Sequence, residues 1–378
     1  MRLLHVAAAP FPTHQGTQAA LAAMLAAEAR AGHEVHLLCY AHGEGEAPVG
    51  VQVHRAPELL RNRSMRSGPS LEKLVADAGL ALALARLRKH LRPDRLVAHH
   101  VEAALAASGP GRFVFFAHTD LGAELPSYGP ALLRAGLARA GSRVDAFLLK
   151  RAPGVAAVSP LLARRLQRLR PDAAHAVQPV PVPWTAPPDA PPSTVARREL
   201  ELPHDAPVLL YAGNLDAYQG WQALTLALSR LRTRDAMLLV ATESDARALR
   251  DHAEQLGVGE RLRVVGLKGE AQRARAHAAA DLVLVPRAAP GGLPIKLLDA
   301  MARGCACVTM RMATAELPLD DALAVCDDDA GSMAEAADRL LSDDGRRKAL
   351  GEAARRYVRE EHDERRYLEA MDRVVTGS

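Results

Sequence analysis

Two stretches of alternating strand-like and helical pattern, parted by a proline-dense segment, constrain this chain more than any other feature. In the first stretch, residues 3–9 are a short apolar run and residues 17–30 an Ala- and Leu-rich helix ended by Gly32. Residues 34–39 alternate as a strand, 71–91 form a long amphipathic helix, and 113–117 read as a buried strand. Helix 131–150, strand 155–158 and helix 161–169 follow. Then Pro179, Pro181, Pro183, Pro187, Pro188, Pro191 and Pro192 crowd a stretch with almost no periodicity. Proline removes an amide donor and stiffens the backbone, so this segment is a linker. The alternation restarts beyond it with strands at 207–212, 237–241, 264–265, 282–285 and 307–309. Helices at 221–231, 245–256, 270–279 and 294–302 separate them, and the C-terminal residues read as helical.

A β-α-β-α succession implies a parallel sheet covered on both faces. The expected fold is therefore α/β, with two Rossmann-like doubly wound domains facing each other across a cleft. The boundaries fall at 1–180 for the first domain, 181–193 for the linker, 194–360 for the second domain and 361–378 for a final helix. A chain of 378 residues suits two cores better than one. Open α/β sheets bind ligands at the carboxyl ends of their strands, so the cleft is the expected site.

Composition narrows the class. Cys39, Cys305, Cys307 and Cys326 show neither disulfide nor zinc spacing, which suits a reducing compartment. Only Arg2 precedes the first apolar run, so the start reads as a strand and not as a signal peptide. No apolar stretch reaches the roughly 18 residues that span a bilayer. The expected location is cytoplasmic, with peripheral contact at the inner face of the membrane as a further expectation. That expectation comes from charge. Residues 1–185 hold 22 Lys and Arg against 13 Asp and Glu, whereas the remainder holds 26 against 31. Residues 61–95 are densest, with nine basic and three acidic side chains. The first half therefore meets something anionic or presents a solvated helix face.

Three strand-to-helix junctions hold the residues suited to chemistry. The first runs from Phe11 to Gln18 and contains His14, Gly16 and Thr17. Amides at a helix N-terminus favour phosphate or a developing oxyanion, although an ordinary turn reads the same way. The loop lacks the G-x-G-x-x-G spacing of a dinucleotide site. The second junction, from Tyr211 to Trp221, brackets Asn214 and Gln219 between Gly213 and Gly220. The third runs from Val285 through Arg287, Gly291, Gly292 and Leu293 into a helix opened by Pro294, with Lys296 and Asp299 inside it. Gly292, Leu293 and Ile295 can offer amides to a phosphate there, and Lys296 adds a cation. Lys296 and Asp299 are three apart, so their side chains start from similar directions. His118 follows the strand at 113–117 and points toward the expected cleft.

At the third junction the chain resembles the retaining glycosyltransferases of family 4, which have the GT-B architecture, and the resemblance extends over nearly the whole length. It is carried by Arg30-Ala31-Gly32-His33-Glu34-Val35, Ala98-His99-His100-Val101-Glu102-Ala103, Phe116-Ala117-His118-Thr119-Asp120 and Ala156-Ala157-Val158-Ser159. Gly213-Asn214-Leu215, Tyr218-Gln219-Gly220 and Pro294-Ile295-Lys296-Leu297-Leu298-Asp299 complete it. The resemblance implies a histidine at 118 that contacts the donor sugar. It also implies two glutamates in the third block, one near the donor sugar and one on the donor ribose; Gly291 and Asp299 occupy those places. Where many members carry an Arg and a Lys for the diphosphate, this chain has Asn214 and Gln219, so Arg287 and Lys296 are expected to supply the missing charge. Family members also often send the last helix back to the first domain.

The implied activity is transfer of a sugar from a UDP- or GDP-sugar to a glycan, lipid-linked or small-molecule acceptor, with retention. Polysaccharide or glycoconjugate biosynthesis is the expected setting. His118 is the expected catalytic residue. Gly16, Thr17, Asn214, Gln219, Arg287, Gly292, Leu293, Lys296 and Asp299 are the expected donor-binding residues. No cofactor, no metal and no nucleic acid are expected: the acidic run Asp327-Asp328-Asp329 reads as a surface loop rather than as a metal-binding pair. Asp120 and Glu124 are candidates for a base on the acceptor. The rival readings are a nucleotide-sugar epimerase or hydrolase of the same fold, and a catalytically impaired nucleotide-sugar-binding protein.

Overall fold

The computed structural model of the chain describes all residues except 14–15, 60–69, 110, 187–188, 290–291, 315 and 377–378. His14, Gly291, Arg61, Arg63 and Arg66 of the basic run, and the pair Pro187-Pro188 thus lie outside the described residues. Contacts divide the chain into two units, Met1–Pro183 with Gly291–Leu293 and His362–Ser378, and Trp184–Pro290 with Pro294–Glu361.

Among the described residues, the first unit has seven parallel strands: β1 (Arg2–Ala7), β2 (Glu34–Cys39), β3 (Val51–Arg55), β4 (Arg95–His99), β5 (Val114–Ala117), β6 (Gly154–Ala157) and β7 (Val177–Pro179). They lie in the order β3-β2-β1-β4-β5-β6-β7. The second unit has six: β8 (Val208–Ala212), β9 (Met237–Ala241), β10 (Leu262–Val265), β11 (Leu282–Val285), β12 (Cys307–Met310) and β13 (Ala324–Cys326). Their order is β10-β9-β8-β11-β12-β13. Both are Rossmann-like sheets whose strand order reverses once, beside β1 in the first unit and beside β8 in the second. That reversal opens a crevice at the carboxyl ends of β1 and β4, and of β8 and β11.

The central strands are apolar on both faces because helices cover both, as in β8 (VLLYA) and β11 (LVLV), which are buried throughout. Edge strand β3 alternates and stays half-exposed, which is why its apolar signal is weak. In the first unit the helix Glu364–Thr376 packs against the helix Gly16–Arg30 and the strands β6 and β7. Tyr367 donates to Glu28 Oε1 at 2.9 Å, Glu364 pairs with Arg30, and Asp372 lies 3.2 Å from Arg95. A Cβ on Gly154 would stand 2.3 Å from the Val374 carbonyl oxygen, so only glycine admits this close approach. No helix among the described residues is long and apolar enough to cross a membrane.

Candidate active site

In the first unit the site is built from polar residues inside apolar strands. Ala7 on β1 pairs with His99 on β4, which pairs with Phe116 on β5. Side chains alternate between faces with period 2, so His5, His99 and His118 emerge on one face, each two residues further toward the carboxyl end than the last. The rings meet. His5 Nδ1 lies 2.9 Å from His99 Nε2, and His99 Nδ1 lies 3.0 Å from His118 Nε2. His5 Nε2 is 2.7 Å from Glu28 Oε2, a short contact bent away from the ideal hydrogen-bond line. Phe116 and His100 pack on the His118 ring with centroids 5.1 and 4.9 Å away. Burial, with neighbouring imidazoles as a lesser cause, holds His99 and His118 well below the usual imidazole range, so both are neutral at pH 7.

The turn after His118 is pinned. Asp120 caps the helix Leu121–Glu124 through the Ala123 amide at 2.7 Å and lies 3.1 Å from Arg165 Nε. Asp145 accepts from the Leu121 and Gly122 amides at 3.2 and 3.0 Å, and burial pushes its carboxyl up to about 6. Glu124 accepts from Thr119 Oγ1 at 2.6 Å and from the Tyr128 hydroxyl at 2.8 Å. Both acids considered as bases thus hold the turn in shape. Gly292 belongs to this unit, and a Cβ there would stand 1.9 Å from the His118 carbonyl oxygen. Leu293 is buried beside it in sequence. Gly16 and Thr17 open the helix Gly16–Arg30 after β1, with Gly16 exposed and Thr17 half-buried.

In the second unit the site is cationic. Lys296 sits in the first turn of the helix Ile295–Ala302, and its Nζ donates to the Tyr211 hydroxyl at 2.6 Å and to Gln219 Oε1 at 2.9 Å. The ammonium also lies 4.1 Å from the centre of the Tyr211 ring. Tyr211 passes a hydrogen bond on to the Asn214 carbonyl at 2.5 Å. Gly213 leaves room for the lysine, since a Cβ there would stand 2.8 Å from Nζ. Burial, and then the nearby Arg287 guanidinium, hold the Lys296 amine well below its usual range. Arg287 stacks over Tyr218, 5.3 Å from the ring centre, and its Nε donates to the Ala289 carbonyl. The first intrahelical bond runs from the Leu297 amide to the Pro294 carbonyl, so the Ile295 and Lys296 amides precede it and remain at the helix N-terminus.

Asp299 goes elsewhere. Its Oδ2 lies 3.2 Å from Arg303 Nε and 3.9 Å from both Arg273 and His277, while Trp184 Nε1 donates to Oδ1 at 3.4 Å. The three-residue spacing brings Lys296 and Asp299 to one helix but not to one partner. The structure therefore groups Lys296, Gln219 and Asn214 around Tyr211, places Arg287 close by, and puts His118 with Gly292. Sequence reasoning missed Glu28, His5 and Tyr211. The signal for His5 was present: a histidine inside a buried apolar strand is the informative kind of residue, and its face matches that of His99.

A family model described as Glycosyltransferase Family 4 matches residues 15–183, and one described as Glycosyl transferases group 1 matches residues 206–343. A D-inositol 3-phosphate glycosyltransferase from Xylanimonas cellulosilytica is 32% identical over 178 residues, 45% of this chain and 42% of that protein. The match thus spans about two-fifths of the relative's length. Sucrose-phosphate synthase from Thermosynechococcus elongatus superposes with a TM-score of 0.83 at 18% identity, over 100% of this chain and 98% of that one. Anabaena HepE in complex with UDP-glucose superposes with a TM-score of 0.75 at 15% identity, over 100% of both chains. These structural likenesses concern the fold, which is GT-B.

Proposed function

This chain belongs to glycosyltransferase family 4, and from that premise we propose an enzyme that moves a sugar from a nucleotide-sugar donor to an acceptor hydroxyl. The observation that carries the reading is the reach of Lys296 into the turn after β8, where its ammonium meets Gln219 and Tyr211. Departure of a nucleoside diphosphate builds negative charge on the leaving oxygens, and preorganised cations and amides stabilise it. Lys296, Arg287 and the Ile295 and Lys296 amides supply that positive environment. Transfer is accordingly metal-independent in this reading. Asp299, held in place by Arg303, accepts from the donor ribose, and His118 contacts the donor sugar. Retention of anomeric configuration is part of this reading.

Anabaena HepE holds UDP-glucose in its own structure, which supports a uridine donor as the first to try. The test is a thermal-shift screen of UDP, GDP, ADP and their sugars, followed by turnover with and without acceptor alcohols. A ligand bound only by the folded state raises its melting temperature. Stabilisation by one nucleotide sugar, with release of its diphosphate dependent on acceptor, is the expected result. Binding without turnover makes the chain a binding protein, and turnover indifferent to acceptor makes it a hydrolase or epimerase.

A further inference from the structure

The histidine line in the first unit has a direction, and the buried carboxylate at its far end sets it. Tyr367, Glu28, His5, His99 and His118 are all buried, at 0, 2, 0, 0 and 7% exposure, so no solvent competes for their polar atoms. Tyr367 keeps its proton, since burial raises its pKa well above the usual phenol range, and donates it to Glu28 Oε1. The other carboxylate oxygen faces His5 Nε2. A carboxylate has no proton to give, so His5 must carry its proton on Nε2. A His5 with that single ring proton offers a bare Nδ1, which accepts from His99 Nε2–H. His99 in turn offers a bare Nδ1, which accepts from His118 Nε2–H. The reverse order would set the Nε2 lone pair of His5 against an anionic oxygen 2.7 Å away.

We propose that Glu28, acting through His5 and His99, fixes His118 as the Nε2–H tautomer and leaves its Nδ1 as a hydrogen-bond acceptor for a hydroxyl of the substrate. Glu28, His5 and His99 are positioning residues: none needs to touch a substrate. Among the described residues no hydrogen bond reaches His118 Nδ1, so that atom is available to a ligand. The choice of nitrogen matters because the two presentations suit opposite partners, a donating hydroxyl in one case and an accepting oxygen in the other. The consequence for turnover rests on the reading that His118 contacts the donor sugar; the assignment of the tautomer does not.

The tautomer is read directly by two-bond nitrogen–proton correlation spectra of the imidazoles in the full-length protein, with His118→Gln used to assign the signal. The wild type is expected to carry the His118 proton on Nε2. Glu28→Gln keeps the shape but gives the far end a donor: the amide oxygen accepts from Tyr367 and the NH2 group donates to His5 Nε2. The line then reverses, and His118 is expected to move its proton to Nδ1, with kcat lowered about tenfold, the worth of one well-placed hydrogen bond. Tyr367→Phe removes the hydroxyl that donates to Glu28 Oε1 but leaves the carboxylate, so it lowers the melting temperature and keeps the Nε2–H form. A wild-type proton on Nδ1 overturns the proposal even if Glu28→Gln does not fold, and so does a Glu28→Gln protein whose His118 keeps Nε2–H. A reversed tautomer with unchanged kcat upholds the assignment and removes His118 from the reaction.

Discussion

The first unit lines three buried imidazoles across β1, β4 and the turn after β5, and the second puts a lysine and an arginine around the ends of β8 and β11. Both sheets have the same kind of strand order, and both equip the crevice beside their reversal. The difference lies in where the polar groups originate. His5 and His99 are buried strand residues, so their ring nitrogens must be satisfied within the protein, and imidazoles bonded in line do this. Lys296 comes from a helix N-terminus and reaches the glycine-containing turn after β8. Its amine has a pKa held down by burial and by Arg287, so a diphosphate bound there as proposed would favour its protonation. In the proposed reading one crevice orients hydroxyls and the other receives phosphate.

The first unit also depends on a helix that returns to it from the far end of the chain. Tyr367, Ala370, Met371 and Val374 are buried on the C-terminal helix, and burying a large apolar side chain is worth about 1.5–3 kcal/mol. Deleting residues 362–378 is therefore expected to remove several kcal/mol and to lower the melting temperature sharply, as followed by circular dichroism. A truncated protein that melts and turns over like the full chain contradicts the dependence.

A smaller effect separates orientation from charge. His118→Ala is expected to lower kcat about tenfold or more, a loss of one hydrogen bond and its ordering, with little change in affinity for the free nucleoside diphosphate. Equal losses in both would mean that the two regions are not divided in this way. On the other side, Gly213→Ala places a Cβ 2.8 Å from Lys296 Nζ. Calorimetry should show diphosphate affinity reduced up to about tenfold, the worth of a displaced charged hydrogen bond, while the His118 signals stay in place.

The two units also differed in how well they could be read. The β-α alternation was legible where central strands are unbroken apolar runs, as in β8 and β11, but the central strand β4, a five-residue RLVAH with Arg and His at its ends, was missed. Edge strands β3, β7 and β13 were not legible either, because each is short or half-exposed and carries little periodicity. Gln219 and Lys296 could each be named from sequence as candidates for donor binding, since a missing cation invites a search for another. Their contact could not, because it joins residues 77 apart. Glu28 was hidden for a similar reason: on a helix rich in Ala and Leu it looks like a solvated residue until His5 and Tyr367 are seen against it.

The smallest expected effect concerns the surface of the first unit. Leu132 and Leu133 are 97 and 57% exposed, and Arg134, Arg139, Arg143 and Lys150 lie exposed on the helix that follows. Basic residues at an anionic membrane contribute about 1 kcal/mol each, so weak co-sedimentation with anionic vesicles is expected at low salt and should fade as salt rises. Equal binding to neutral vesicles contradicts an electrostatic contact.

The central claim is that Lys296 stands in, from another helix, for cations that many family members carry in the turn after β8. A charge exchange tests it most directly. Steady-state kinetics with the cognate donor would compare the wild type, Lys296→Gln, and Lys296→Gln combined with Gln219→Lys. Loss of a charged hydrogen bond is worth about 1.5–3 kcal/mol, so the single variant should lose roughly 10- to 150-fold in kcat/KM. Returning the cation from the opposite side of the same contact should recover most of that loss. A single variant within about twofold of wild type, a change of only about 0.4 kcal/mol, or a double variant no better than the single, would contradict the account.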